Sequence, residues 1–161
     1  MKTANVHRDC KSVGMRKKQG LVDVPVENCV TFVRGILGFE EFREYFVLDL
    51  TDSNPFKIMH SMEEDGPSFV LFDTTHLPER YHPELLPGVM EELDFSHRHS
   101  CIVFSILTLS EDPSQITANL KGPILINTEN RLAKQVILMD DRYPVKYRLG
   151  DCASKLKPSN S

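Results

Sequence analysis

Tryptophan is missing from this 161-residue chain, cysteine occurs only four times, and no apolar run is long. Each shortage closes a class of protein. The longest mainly apolar run, 101–109, is broken by Ser105 and Thr108 and falls well short of the about 20 residues that a membrane-spanning helix needs. Near the start, Arg8, Lys11 and Arg16 continue where the apolar centre of a signal peptide would begin, so no secretory leader is expected. Cys10, Cys29, Cys101 and Cys152 show no CxxC spacing and are too sparse for the disulfide framework of a small secreted domain. Free thiols in a reducing cytoplasm are expected, with Cys101 in the core.

Catalytic signatures are lacking too. No GxSxG, P-loop, GxGxxG or HExxH pattern occurs. Gly35-Ile36-Leu37-Gly38 has the wrong spacing for a phosphate cradle, and no Lys or Ser/Thr follows it. His97, His99 and Cys101 would share one face of a strand, yet no fourth ligand completes a known metal spacing. The acidic pairs Glu40-Glu41, Glu63-Glu64 and Asp140-Asp141 read as solvated turns rather than a catalytic dyad, and His60 as a packed or solvent-facing residue. The expectation is a protein without catalytic residues, metal or cofactor.

What is present is charge, unevenly placed. Residues 1–20 carry six Lys/Arg against one Asp; with 19 basic and 23 acidic residues in all, 13 and 22 remain for the rest. The basic start reads as a disordered arm. An acidic body repels phosphates, so direct nucleic-acid binding is not expected, and a basic protein is the better partner.

From Leu21 onward, short β-branched and aromatic runs alternate with turn signals. Strands are predicted at 44–50, 56–62, 68–74, 100–109, 124–127 and 135–140, with an edge strand around Val22, Val24 and Val26 demoted by Pro25. Leu85, Leu86, Val89, Met90 and Leu93 fall at helical spacing, which predicts one short helix from about Pro87 to 95. Glu111-Asp112-Pro113 is a turn or helix start, and 128–134 is a loop. This pattern predicts a mainly β fold, an antiparallel small barrel-like or two-sheet domain with one or two short helices. The domain should run over 21–149, between the arm 1–20 and a polar flexible tail 150–161. A central strand at 101–109, apolar on both faces, is its expected structural heart.

Within 116–127, "ITANLKGPILIN", Asn119 suits a turn cap, Ile124 and Ile126 one strand face, and Leu125 and Asn127 the other. The segments 35–50, 54–74 and 103–149 together resemble the FliW family of flagellar assembly factors. The most specific part is Asp112-Pro113, Thr117-Ala118-Asn119-Leu120, Pro123-Ile124, Ile126-Asn127, Gln135 and Leu138, in order and spacing, joined by Gly38-Phe39 and Pro55-Phe56. Gly122, Ala133 and His60 depart from the usual Ala, Gly and Gln. The resemblance implies a non-enzymatic cytoplasmic protein that binds the translational regulator CsrA and relieves its repression of flagellin mRNA, with flagellin as competing partner. A flagellin-binding, chaperone-like factor without a CsrA role is the alternative. Neither membrane nor nucleic acid is an expected direct partner. Partner-binding residues are expected among Glu63, Glu64, Asp65, Glu111, Asp112, Asn119, Asn127, Asp140 and Asp141.

Overall fold

The computed structural model describes residues 25–50, 55–95 and 100–156. The basic arm 1–20, the predicted turn at 52–54, and His97 and His99, weighed above as metal ligands, lie outside the described residues. So does most of the expected edge strand. The described chain starts at Pro25, and a 3-10 turn, Val26–Asn28, leads into β1, Cys29–Phe32.

The strands that follow are β2 (Glu44–Asp49), β3 (Phe56–Ser61), β4 (Ser68–Asp73), β5 (Cys101–Thr108), β6 (Thr117–Ala118), β7 (Ile124–Asn127), β8 (Leu132–Gln135) and β9 (Tyr147–Arg148). Seven of them close a ring in the order β1-β2-β3-β4-β5-β7-β8. Every neighbouring pair is antiparallel except β1–β8, where Thr31 and Phe32 run parallel to Leu132 and Ala133. The mainly β, barrel-like expectation holds, with that one parallel seam. Closure leaves the ring without free edges.

Alternation along each strand sorts side chains between the lumen and the outer covers. Val30, Phe32, Tyr45, Val47, Met59, Leu71, Phe104, Ile124, Ile126 and Ala133 fill the interior. The intervening residues of β3–β5, among them Phe56, Phe72 and Leu107, face outward into a second core closed by Ile116, Ala118, Leu120 and Leu149. This explains why β5 looked apolar on both faces. It pairs with β4, β6 and β7 along different parts of its length, although Cys101 itself is only half-buried.

The helix α1, Pro87–Glu92, starts where Pro fits the first turn, after Leu86 held extended (ψ 152°) as a residue before proline must be. Val89 and Leu93, four apart, pack on Leu125 of β7. Burying side chains of this size is worth roughly 1.5–3 kcal/mol each.

Three expectations shift. The apolar run at 135–140 is not the last barrel strand; β8 is the more polar Leu132–Gln135, which lies mostly inside the predicted loop 128–134 and shares only Gln135 with the predicted strand. The lumen beside Phe32 and Tyr45 is already full, so the position there takes a small residue, Ala133. The tail expected to be polar and flexible from 150 forms, as far as Leu156, a 3-10 helix that buries Ala153 in the second core. Finally, Cys101 and Cys152 carry free thiols, but Cys29 is disulfide-bonded.

Candidate partner-binding surface

The two asparagines of the 116–127 motif are both committed to the backbone. After β6, Asn119 Oδ1 accepts from the N–H groups of Lys121 (3.1 Å) and Gly122 (2.9 Å), turning the chain into β7. Asn127 is 0% exposed. Its Nδ2 donates to the carbonyls of Leu93 (2.9 Å) and Asp94 (3.3 Å), and its Oδ1 accepts from Glu129 N–H (2.8 Å). Asn130 donates to the same Leu93 carbonyl at 3.1 Å. These bonds satisfy the carbonyls that the end of α1 leaves open. Asn127 therefore has no side-chain surface to offer a partner, whereas half-buried Asn119 keeps some.

The acidic candidates divide by their local partners. Asp140 is held by Arg142, whose Nη2 donates at 2.6 Å and Nε at 3.0 Å, and this pairing pulls its carboxyl down to about 2. Asp141 lies 3.9 Å from Lys121. Asp112 caps the 3-10 turn Pro113–Gln115, accepting from Ser114 N–H at 3.0 Å, and Glu111 beside it is exposed. Glu63, Glu64 and Asp65, in the β3–β4 turn, are exposed, and among the described residues none of them is in an ion pair.

A second acidic segment joins that turn. Gly35 approaches the Glu40 backbone so closely that an added Cβ would lie 2.3 Å from its Cα, and Gly38 turns at φ 90°. The resulting fold-back carries Glu40 and Glu41 to the β3–β4 turn. There Phe42 packs on Gly66, and Met62 N–H donates to the Glu44 carbonyl at 2.8 Å. Glu40 Oε2 accepts from Gly38 N–H at 3.0 Å, which holds its carboxyl below the ordinary carboxylate range. On these two joined segments Glu40, Glu41, Glu44, Glu63, Glu64 and Asp65 are all exposed, as is Arg43, and among the described residues none of them is in an ion pair.

Apolar surface sits in the same place. Leu37 is 69% and Phe39 38% exposed. The Phe39 ring meets Phe69 edge-on at 5.4 Å, and Phe69 in turn meets Tyr45 at 6.2 Å. Tyr45 is wholly buried and its hydroxyl has no hydrogen-bond partner. Burial, and secondarily the charge of Glu63, pushes that hydroxyl up to about 12.

A cleft of about 300 Å³ brings Asp73, His82 and Cys101 to its walls, but Asp73 is occupied by the N–H (3.0 Å) and hydroxyl (2.8 Å) of Thr75. His60 stacks on Phe46 at 5.2 Å and bonds Ser68 Oγ at 2.5 Å, a packed role. Sequence reasoning found the β3–β4 turn but missed Glu44, Leu37 and Phe39 as its neighbours. The paired glycines of 35–38 were the available signal.

In sequence and fold the chain is similar to known proteins. The family model described as FliW protein matches residues 14–149. A flagellar assembly factor FliW of Geobacillus sp. (strain WCH70) is 36% identical over 133 residues, covering 83% of this chain and 92% of the relative. One from Clostridium botulinum (strain Alaska E43 / Type E3) is 34% identical, covering 83% and 94%. The crystal structure of a flagellar assembly factor FliW superimposes with a TM-score of 0.75 at 33% identity, over 83% of this chain and 94% of that one. On its barrel, its motif and these matches together, the chain belongs to the FliW family.

Proposed function

We propose that this chain is a non-enzymatic flagellar assembly factor of the cytoplasm that binds the translational regulator CsrA. Binding lifts CsrA's repression of flagellin mRNA, and flagellin competes as the second protein partner. The observation that carries this reading is the acidic barrel end, set on a fold shared with relatives named as flagellar assembly factors. A repressor that holds RNA presents basic surface. Six carboxylates in no ion pair among the described residues attract such a surface and, once it is docked, repel phosphate over roughly 8–10 Å near physiological salt. Exposed Leu37 and Phe39 at the same end supply the apolar contact that a charged rim alone lacks. Among the described residues no helix is long and apolar enough to cross a membrane.

The test is co-purification of the tagged chain with purified CsrA and purified flagellin, separately and together. Retention of each alone, with flagellin displacing CsrA, supports the proposal. Retention of flagellin alone would leave a chaperone-like flagellin binder. Retention of neither overturns both.

A further inference from the structure

We infer that the barrel mouth opposite the β3–β4 turn is a binding site for a small aliphatic monocarboxylate, which pairs with Arg131 while its chain enters the lumen. The site shares no residue with the candidate CsrA surface.

The strand alternation builds the mouth. β2 runs from Glu44, beside the β3–β4 turn, to Asp49, and β3 returns from Phe56. Val47, Phe104 and Ile126 belong to the lumen core. One inward-facing position further along the strands come Asp49, Lys57 and Ile102. Asp49 and Lys57 are cross-strand partners, as are Ile102 and Ile126. With Asn28 and Arg131, these residues line a cavity of about 180 Å³. At about 30 Å³ for a water-sized group, it holds roughly six non-hydrogen atoms. Barrel mouths are a recurrent place for small ligands.

Charge selects the ligand. Lys57 Nζ lies 2.5 Å from Asp49 Oδ1, so these two offset each other. Arg131 is half-buried and, among the described residues, in no ion pair. Its Nε donates to the Cys29 carbonyl at 3.1 Å, which leaves the Nη hydrogens for a ligand. Burial pulls its pKa below the ordinary value, with the charge of Glu27 acting the other way, yet a guanidinium stays charged at physiological pH. The cavity therefore carries a net positive charge and suits a monoanion. A dianion such as phosphate would leave its second charge beside Asp49. The two Nη atoms match the two oxygens of a carboxylate.

Arg131 is also held in place. Its N–H donates to the Asn127 carbonyl at 2.8 Å, and Asn130 Oδ1 accepts from Leu132 N–H at 3.0 Å. Between them the Arg131 backbone sits at φ 64°, a left-handed conformation that side chains disfavour. A cation fixed in this way loses little freedom when it binds. Val47, Phe104 and Ile126 give the chain of the acid an apolar floor, which Ile102, 36% exposed, continues to the rim. Butyrate has the right size and both features.

The full chain, labelled with nitrogen-15, is titrated with butyrate at constant pH and ionic strength and followed by NMR. Saturable shifts are expected at Arg131 Nε–H and at the Asn28 side-chain amide, which donates to the Val47 carbonyl at 2.8 Å. The dissociation constant should fall in the millimolar range. Butyramide, similar in shape but neutral, should bind at least tenfold more weakly, and so should acetate, which lacks the chain. R131Q should abolish the saturable shifts. Arg131 also bonds the Cys29 carbonyl, so the spectrum of R131Q is checked for folding. I102W fills the mouth, leaves Arg131 in place and should abolish the shifts too; it decides the matter if R131Q does not fold. Equal binding of butyrate and butyramide would overturn the inference, as would shifts that never saturate. So would unchanged binding in either folded variant. Neither CsrA nor flagellin is present, so failure here says nothing about the proposed function.

Discussion

Replacing Asn127 by alanine tests the claim that this residue is architecture rather than contact surface. The substitution removes three hydrogen bonds, to the Leu93 and Asp94 carbonyls and from Glu129 N–H. A net bond is worth about 1 kcal/mol, and a buried group left unpaired costs about 1–3 kcal/mol. Two features soften the loss. Leu93 keeps the Asn130 amide at 3.1 Å, and Glu129 is exposed enough for water to reach its N–H. The expected cost is therefore about 2–3 kcal/mol out of a typical 5–15 kcal/mol for a whole domain. In a chain of this size that lowers the melting temperature by roughly 4–12 °C. Urea unfolding followed by far-ultraviolet circular dichroism measures it, with the m-value expected to stay constant. Asn130→Ala in a double-mutant cycle should prove non-additive, because both amides serve one carbonyl. A loss below about 1 kcal/mol would refute the argument. So would a well-folded Asn127→Ala variant whose partner binding collapses while its stability does not.

Asn119→Ala should cost only about 1 kcal/mol by urea unfolding, since its oxygen serves two N–H groups of a half-exposed turn. Gly35→Ala should cost more than Gly38→Ala relieved by Asn at 38: no side chain fits 2.3 Å from the Glu40 backbone, whereas Asn tolerates positive φ. Thermal melts of the three variants decide that order. Asp140 titrates near 2 rather than at the ordinary 3.9 or so. Its depressed value means the Arg142 pairing contributes above about pH 4 and is lost as pH falls from 4 toward 2. Carbon-detected carboxyl titration should place the midpoint there, and Arg142→Ala should raise it. Glu63, Glu64 and Asp65 replaced together by Lys should slow CsrA association and flatten its salt dependence; unchanged on-rates would remove this turn from the encounter surface.

The long strands were legible because both their faces are buried. Tyr45, Val47, Met59 and Leu71 alternate with Phe46, Phe56 and Phe72, so hydrophobic content and period agree. The helix start was legible from Pro87. β6 and β9, two residues each, are too short to show any period, and they exist only because β5 extends past the barrel to pair with β6. β8 was hidden for a different reason. Ala133 faces a crowded lumen, and its neighbours make polar bonds: Lys134 to Glu92 on the outer face and Gln135 Nε2 to the Gly122 carbonyl at 3.0 Å. The apolar 136–139 stretch next to it, with Met139 88% exposed, drew the assignment instead. The candidate surface was half legible. One sequence shows runs of carboxylates, but not which runs meet or which of them carry a neighbouring Arg or Lys.

The parallel seam between β1 and β8 has a consequence for how the molecule is made. Its register joins Thr31 to Leu132, roughly a hundred residues apart. Closing a loop of that length costs about 4 kcal/mol of chain entropy before any contact repays it. Arg131, held at φ 64°, bolts the join by donating from Nε to the Cys29 carbonyl at 3.1 Å, while Thr31 N–H donates to the Arg131 carbonyl at 3.0 Å. A growing chain emerging N-terminus first can zip β2 to β5 by short hairpins and local pairings. It must then carry the outer edge of β1 uncovered until nearly the last strand of the ring has been synthesised. The barrel is thus a vectorial assembly with its keystone at the far end, and the interval before β8 arrives is when the nascent protein is most exposed to mispairing.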